Sequence, residues 1–297
     1  MSSATVLRSR VATVVGTVAA TGAAVGVASR FYSGGPVRAD SPASPRRVFG
    51  GGPAFVSLPL ESSETVNHNT KRLRFRLPEK DAVSGLSLTS ALLTFSWPKN
   101  QWLPVIRPYT PVSSSDEPGF VDFLVKRYPD GKLSTHLHSL EPGQSLRFLA
   151  ALKGPQWTPN QVPNVVLIAG GAGVTPCYQL AQGILRNPED RTAVTLVYGA
   201  NSDADVLLRD ELTDWERRFP GRFRVVYTVS RPAEGSKYRQ GYVNEELLRT
   251  SLTGVDGKST KVFVCGPPAM EKSLVGDSST KGVLEALGYR KDQVATF

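Results

Sequence analysis

Cysteine and histidine are both scarce in this chain of 297 residues. It has two cysteines, Cys177 and Cys265, and three histidines. Two cysteines without a paired spacing exclude a disulfide scaffold and argue against a structural zinc site. Three histidines are too few for a metal centre built on imidazole ligands. We therefore expect no metal site.

Acidic residues are absent from the start of the chain. The first 39 residues contain four arginines and no Asp or Glu, and residues 1–47 carry a net charge of +5 out of +9. The remaining residues are only mildly basic, at +4. They show no dense stripe of Lys and Arg interleaved with aromatic residues, so we expect no nucleic-acid partner. A mild positive charge suits an acidic protein partner that is steered by charge.

Residues 11–28 carry no charge and consist of Val, Ala, Gly and Thr. Eighteen helical residues span about 27 Å, close to the thickness of a hydrocarbon core. Arginines flank both ends, and Phe31 and Tyr32 follow as residues of a membrane interface would. A single-pass anchor, a cleaved mitochondrial-type leader and a secretory signal all remain open. A linker rich in Gly, Pro and Ser follows, so residues 1–53 are predicted to form a leader.

Short runs of alternating polarity predict strands in residues 54–158. Pro98, Pro118-Gly119 and Pro142-Gly143 separate these runs as turn residues do. Many short strands with turns between them are typical of a small antiparallel β-barrel. The predicted strands are Phe55–Leu60, Lys71–Leu77, Leu92–Trp97, Phe120–Lys126 and Ser145–Ala150.

Apolar runs alternate with helical patterns in residues 159–297. This alternation predicts a parallel, doubly wound α/β sheet whose ligands bind at the carboxyl ends of the strands. The predicted strands are Val165–Ala169, Val194–Tyr198, Phe223–Val229 and Lys261–Cys265. The predicted helices are Pro176–Arg186, Val206–Phe219 and Asn244–Ser251.

A glycine-rich segment joins the two halves. The buried run Val165–Ala169 is followed by Gly170-Gly171-Ala172-Gly173 and then by Pro176, which suits the first turn of a helix. Glycines allow close backbone approach, and a helix N-terminus attracts phosphate. Pro176 stands where a dinucleotide fingerprint has its third glycine, so a plain dinucleotide dehydrogenase is disfavoured. A tight turn without a ligand is the alternative.

Three further stretches carry groups suited to ligand binding. Arg107-Pro108-Tyr109-Thr110 presents a cation, a flat ring and a hydroxyl on a rigid backbone, although an edge strand with prolines is the alternative. Gly131–Leu140 predicts a helix capped by Ser134, and its free N–H groups and Lys132 would attract phosphate, unless it is an ordinary capped helix. Cys265-Gly266-Pro267-Pro268-Ala269-Met270 forms a rigid turn at the end of a predicted strand.

In this order and spacing, these stretches resemble the NADH–cytochrome b5 reductase family of ferredoxin-reductase-like flavoproteins, most of all its fungal mitochondrial members. The resemblance covers residues 57–297. It implies an antiparallel β-barrel FAD-binding domain followed by a parallel NAD-binding domain. The implied reaction transfers a hydride from NADH to FAD and then single electrons to two molecules of cytochrome b5, a separate acidic haem protein.

The resemblance also implies roles at matching positions. Arg107 would hold the FAD phosphates, Tyr109 would pack on the isoalloxazine ring and Thr110 would hydrogen-bond near flavin N5. The implied FAD contacts are Arg107, Pro108, Tyr109, Thr110, Val125, Lys126, Tyr128, Lys132, Leu133 and Ser134. Thr175 would reach the flavin from the second domain. The implied nicotinamide crevice is formed by Gly170, Gly171, Gly173, Thr175, Pro176, Gly266, Pro267 and Met270. Thr110 and Cys265 are the implied catalytic residues, with Cys265 lining the pocket.

Ser230 departs from the family pattern, which often has an acidic residue there that favours NADH over NADPH. Arg222, Arg224 and Arg231 lie nearby in the sequence and could accept a 2′-phosphate. Two alternatives to the implied function remain: another acceptor, such as a quinone or a different redox protein, and a non-enzymatic, membrane-anchored nucleotide-binding adaptor. The implied location is the mitochondrial outer membrane, with a trimmed intermembrane-space form or the endoplasmic reticulum membrane as alternatives. We expect a monomer.

Overall fold

The computed structural model describes residues 44–50, 53–98 and 102–297. Within these residues no helix combines the length and the apolar character that crossing a bilayer requires. The predicted anchor at residues 11–28 lies outside the described residues.

The first sheet is antiparallel and open. Its order is β4-β3-β6-β1-β2-β5, and in the described residues no ladder joins the outer strands β4 and β5. The predicted barrel is therefore a half-barrel. The strands are β1 (Pro53–Asn67), β2 (Thr70–Arg76), β3 (Ala91–Ser96), β4 (Val105–Tyr109), β5 (Phe120–Lys126) and β6 (Ser145–Leu152), and helix α1 (Lys132–Ser139) lies between β5 and β6.

Strand β1 curves the half-barrel because it belongs to two ladders. Its first half, up to Pro59, pairs with β6, and its second half, from Leu60, pairs with β2 across an irregularity in register. The concave side holds a tight aromatic cluster, in which the ring centroids of Phe75, Phe123 and Phe148 lie 5.6 to 5.9 Å apart. These rings account for much of the apolar burial that holds the half-barrel together.

The second sheet is parallel, as predicted. Its order is β10-β9-β8-β7-β11-β12. Its strands are β7 (Asn164–Gly170), β8 (Ala193–Ala200), β9 (Phe223–Val229), β10 (Arg239–Gln240), β11 (Thr260–Cys265) and β12 (Val294–Thr296). Its helices are α2 (Val174–Arg186), α3 (Arg209–Arg218), α4 (Glu245–Ser251), α5 (Pro268–Val275) and α6 (Val283–Ala286). The central strand β7 is buried along Val165–Ala169 because helices cover both faces.

Three helix starts differ from the prediction. Helix α2 begins at Val174, so Pro176 lies inside its first turn. Helix α3 begins at Arg209, because Leu208 adopts a left-handed conformation (φ 59°) and turns into the core. Helix α1 begins at Lys132 with Gly131 as its N-cap, so Ser134 is not the cap. The Ser134 hydroxyl instead donates to the Gly131 carbonyl and accepts from the Tyr128 N–H.

One apolar cluster crosses from the half-barrel to the parallel sheet. Val112 and Leu124 come from the half-barrel but pack in the same apolar cluster as β7 and α2. The Gln179 side chain of α2 also donates to the carbonyl of Ser90 over 3.2 Å. The two domains therefore pack against each other, with β5 close to the turn before α2.

Candidate functional site: a crevice between the two domains

The parallel strands end at one edge of the second sheet, and the candidate site lies there. The register pairs Cys265 with Ala169, Gly170 with Gly199 and Ala200 with Val229. The turns after β7, β8, β9 and β11 therefore leave the sheet side by side. This is where open α/β sheets bind their ligands.

Two of these turns touch each other. Gly173 lies so close to the turn after β11 that a Cβ atom on it would sit 3.0 Å from the Gly266 nitrogen. A Cβ atom on Gly170 would sit 2.9 Å from the Cδ atom of Pro267. Gly173 needs glycine because the backbone of Cys265 fills the space that a side chain would take, and at Gly170 the Pro267 ring and the Met270 side chain fill that space. The predicted glycine loop and the Cys265–Met270 turn thus form one continuous wall.

Glu271 holds the second turn in place. Its carboxylate accepts a hydrogen bond from the N–H of Gly266 over 3.1 Å. Burial raises the pKa of Glu271, and this hydrogen bond opposes the rise. Glu271 is absent from the predicted site, although an acidic residue in the first turn of a helix that opens with Pro268 is a recognisable signal.

The half-barrel side presents two cations and a helix N-terminus. Arg107 and Lys132 are exposed, and among the described residues neither forms an ion pair. The Arg107 guanidinium donates to the neighbouring Ile106 carbonyl, over 2.8 Å. In this part of the chain, the N–H groups of Lys132, Leu133 and Ser134 have no backbone acceptor. The arrangement suits a bound phosphate or pyrophosphate.

Two tyrosines lie on the half-barrel side of the site. Burial raises the pKa of Tyr109 to about 12, and neighbouring Arg107 lowers it while neighbouring Tyr128 raises it. Burial also raises the pKa of Tyr128, with a further rise caused by Cys265. Tyr128 and Cys265 are therefore within electrostatic range of each other. Tyr128 is half exposed, at 51% of its surface.

Cys265 ends β11 as a neutral thiol. Burial raises its pKa to about 12, and the nearby Glu271 carboxylate adds to the rise. A thiol with so high a pKa is neither a nucleophile nor a general base at neutral pH. That Cys265 lines the nicotinamide pocket stays a prediction.

Comparisons with known proteins identify the family. Residues 57–158 match the oxidoreductase FAD-binding domain and residues 167–275 match the oxidoreductase NAD-binding domain. NADH-cytochrome b5 reductase 2 of Emericella nidulans is 46% identical over 283 residues, covering 93% of this chain and 88% of that protein. The protein of the same name from Aspergillus oryzae is 43% identical over 288 residues, covering 94% and 89%. The chain belongs to the NADH–cytochrome b5 reductase family.

Solved structures of this family share the fold. The cytochrome b5 reductase domain of Ulva prolifera nitrate reductase superimposes with a TM-score of 0.73 at 28% identity, covering 82% of this chain and 97% of that one. The CS-b5R domains of human Ncb5or give a TM-score of 0.70 at 22% identity, covering 83% and 70%, which shows the fold alone. The predicted family is thus confirmed, and the matched domains confirm the predicted FAD and nicotinamide cofactors.

Several residues that the reductase resemblance assigns to the site have side chains engaged elsewhere. Val125 and Leu133 are buried in the half-barrel core, so each can offer only backbone atoms to a cofactor. The Thr175 hydroxyl donates to the Ala172 carbonyl at the foot of the glycine loop. The Lys126 ammonium is bound to Asp205 of the second domain at 2.7 Å. The roles of these residues in cofactor binding stay predictions.

Two arginines predicted near a 2′-phosphate lie at the wrong edge of the sheet. Arg222 and Arg224 stand at the start of β9, whereas Ser230 follows its end. Seven strand residues separate the two ends by roughly 20 Å. Arg222 donates to the Asp190 carbonyl at 2.6 Å, and Arg224 donates to the Thr195 hydroxyl at 3.2 Å. The side chains of Arg222 and Arg224 therefore stabilise the fold. Of the three arginines, only Arg231 lies beside Ser230.

Proposed function

We propose that the protein transfers a hydride from NADH to FAD and then passes single electrons to two molecules of ferric cytochrome b5. The observation that carries this proposal is the packing of Leu124, in β5, against β7 and α2, because it brings the predicted flavin-binding half-barrel against the predicted nicotinamide-binding domain. Relatives that are 43% to 47% identical to this chain bear the name NADH-cytochrome b5 reductase, which supports the same donor and acceptor here.

The residues of the half-barrel fit an FAD. Arg107 and Lys132 are exposed cations without an acidic partner in the described part of the chain, and the N-terminus of α1 offers free N–H groups beside them. Together they would hold the two phosphates, while the half-buried Tyr109 would offer its ring face to the isoalloxazine. When bound, FAD supplies the conversion between a two-electron donor and one-electron acceptors.

The second domain would bind and orient the nicotinamide. The wall formed by the glycine loop and the Cys265–Met270 turn is tightly packed, because Gly173 lies against the Cys265 backbone and Gly170 lies against the Pro267 ring. The neutral Cys265 thiol would line the pocket and exclude water without taking part in bond formation. Thr110, directly after β4, would donate a hydrogen bond that orients the flavin near N5. No side chain needs to act as a general base, since a hydride carries its own electrons.

The acceptor is a separate, acidic protein in this proposal. Residues 48–297 carry a net charge of +4, which would steer an acidic haem protein towards a monomeric reductase. A quinone or another redox protein as acceptor is the alternative.

We further propose that residues 11–28 anchor the protein in the mitochondrial outer membrane. Support comes from the sequence: eighteen uncharged residues are flanked by arginines, and no acidic residue occurs before Asp40. A trimmed form in the intermembrane space and an endoplasmic reticulum location are the alternatives. Alkaline carbonate extraction of fractionated cells would test the anchor, because an integral protein stays in the membrane pellet and a trimmed form is released.

An absorption spectrum tests the proposed reaction. Purified protein should be yellow, should lose its flavin band when NADH is added without air, and should then reduce added ferric cytochrome b5. A colourless protein would exclude a flavoenzyme and favour a nucleotide-binding adaptor. A flavin that NADH bleaches but that leaves cytochrome b5 oxidised would favour another acceptor.

A further inference from the structure

We propose that Asp205 is a positioning residue for hydride transfer: it clamps the flavin side of the crevice to the nicotinamide side. Asp205 lies in the second domain, in the turn between β8 and α3. The proposal rests on the proposed function for the reaction that it affects. The contacts themselves follow from the structure alone.

The Asp205 carboxylate accepts hydrogen bonds from three donors, two in the half-barrel and one in its own domain. Its Oδ1 atom accepts from Lys126 Nζ at 2.7 Å and from Asn69 Nδ2 at 3.1 Å, and both donors belong to the half-barrel. Its Oδ2 atom accepts from the Ser202 hydroxyl at 2.7 Å, within its own turn. The side chains of Asp205 and Lys126 are only 6% and 11% exposed. The ion pair is therefore largely shielded from solvent.

The turn between β1 and β2 strengthens this clamp. Asn67 donates to the carbonyl of Ala204 at 2.7 Å, directly before Asp205. The carbonyl of Asn69 accepts from the N–H of Arg127 at 2.7 Å, which ties the same turn to the end of β5. His68 stands 3.9 Å from the Asp205 carboxylate but is 58% exposed. The end of β5 and the turn after β8 are thus fastened at several points.

Both ends of the clamp lead directly to the crevice. On the half-barrel side, Lys126 is two residues before Tyr128, whose N–H is bound by Ser134 at the start of α1. On the other side, Asp205 is four residues after Asn201, whose carbonyl accepts from the Ser230 hydroxyl and the Arg231 N–H. A shift at Asp205 would therefore move the flavin-side tyrosine relative to the nicotinamide side.

Charge makes the clamp stiff. Burial raises the pKa of Asp205, but the hydrogen bonds from Lys126, Ser202 and Asn69 outweigh burial and lower it to about 2. The carboxylate is therefore ionised throughout the neutral range. Removing one member of a buried ion pair leaves the other charge uncompensated, so the two segments would separate or admit water. Hydride transfer depends on near-contact between the reacting atoms, and a displacement of about 1 Å costs on the order of 100-fold in rate.

A second ion pair between the domains offers a matched control. Arg72 of β2 contacts Glu211 of α3 at 2.7 Å, but their side chains are 32% and 37% exposed. Solvent weakens such a pair, and neither residue leads to the crevice. Breaking it tests whether any contact between the domains matters or only the one at Asp205.

The test is rapid mixing of the FAD-loaded full chain with NADH, following loss of the flavin band. At saturating NADH, Asp205→Asn should lower the limiting rate by about 10- to 100-fold, while the apparent dissociation constant for NADH changes less than about 3-fold. Asp205→Glu should recover part of the rate. Glu211→Gln should stay within about 3-fold of wild type, since solvent reaches its ion pair and weakens it.

A double-mutant cycle separates positioning from direct binding. If Lys126 acts through Asp205, the variant carrying Lys126→Met and Asp205→Asn should be no slower than the slower single variant. An unchanged limiting rate in Asp205→Asn overturns the proposal, as does a Lys126→Met variant that weakens NADH binding while Asp205→Asn behaves like wild type.

A second variant covers the case in which Asp205→Asn fails to fold. Asn69→Ala keeps both charges and should slow flavin reduction by about 3-fold or more. A wild-type rate in Asn69→Ala overturns the proposal. Wild-type protein that NADH cannot reduce would contradict the proposed function instead.

Discussion

The carbonyl carbon of Cys265 lies 2.6 Å from the point that a Cβ atom on Gly173 would occupy. The end of β11 and the 3-10 turn before α2 are therefore packed backbone to backbone, with no space for even a methyl group. This contact joins the two turns that build the wall of the crevice. The two turns are therefore coupled, and a substitution at Gly173 would displace Cys265.

Replacing Gly173 by alanine should distort this wall. The added methyl group would collide with the Cys265 carbonyl, and overpacking of this kind costs about 1–3 kcal/mol of folding free energy. We expect a lower unfolding midpoint and weaker NADH binding, measured by urea titration and by saturation of flavin reduction. Gly257→Ala is the control, because the nearest atom to its Cβ is 3.8 Å away, in Tyr289. Equal behaviour of the two variants would contradict the close contact.

Cys265 should not titrate in the working pH range. Its pKa is raised to about 12, so the thiol is protonated at every pH below that value. The limiting rate of flavin reduction should therefore have the same pH profile from 6 to 9 in wild type and in Cys265→Ala. Alkylation by iodoacetamide at pH 8 should be about a thousandfold slower at Cys265 than for free cysteine, as judged by peptide mass spectrometry. Rapid alkylation would show that a thiolate forms.

Thr110 tests the flavin side of the crevice. Among the described residues its hydroxyl has no recorded hydrogen-bond partner, so the fold does not need it. Thr110→Val should keep FAD and stability but slow flavin reduction by about 10-fold, since the lost hydrogen bond is worth about 1 kcal/mol or more. Thr94→Val is the opposite case: its buried hydroxyl donates to the Arg107 carbonyl at 2.8 Å, and its loss should lower stability. An unchanged reduction rate in Thr110→Val would remove Thr110 from the catalytic assignment.

Strand boundaries could be predicted about equally well in the two sheets. The boundaries of β5, at Phe120–Lys126, and of β9, at Phe223–Val229, were predicted to the residue, because both runs are rich in β-branched and aromatic residues and are bounded by turn residues. Strand β10 has two residues and β12 has three, which is too short for any periodicity. The half-barrel stays open because β4 and β5 do not pair, and alternation along a strand reveals its faces but not its neighbours.

The motifs of the site could be predicted from the sequence, but their arrangement in space could not. The motifs around Arg107, Gly173 and Cys265 could be identified from the resemblance, and the turns at Gly173 and Cys265 do touch. The ion pair between Lys126 and Asp205 spans 79 positions in the chain, and nothing local marks an acidic loop residue as a partner of a strand-end lysine. Such long-range pairs depend on how two domains meet, which local pattern does not encode.

Ser230 should govern the choice between NADH and NADPH. It follows the end of β9, and its hydroxyl donates to the Asn201 carbonyl at 3.2 Å, with Arg231 beside it. An aspartate there would accept from a ribose 2′-hydroxyl and repel a 2′-phosphate. Ser230→Asp should raise the NADH-to-NADPH ratio of kcat/KM by about 10-fold or more, as one charge-assisted hydrogen bond warrants. Thr253→Asp adds the same charge in the turn after α4 and should leave the ratio unchanged. A ratio that Ser230→Asp does not move would exclude this position.

Reduction of cytochrome b5 should depend on ionic strength in a way that reduction of the flavin does not. Residues 48–297 carry a net charge of +4, and attraction to an acidic partner acts over about 30 Å in 0.01 M salt but only about 8 Å in 0.15 M salt. We expect kcat/KM for cytochrome b5 to fall several-fold between these conditions because charge steering of the encounter is screened. The limiting rate of flavin reduction by saturating NADH is the internal control. NADH is already bound in this step, and cytochrome b5 takes no part in it. If kcat/KM stayed constant while that control also held steady, the encounter would depend on apolar or shape complementarity rather than on charge.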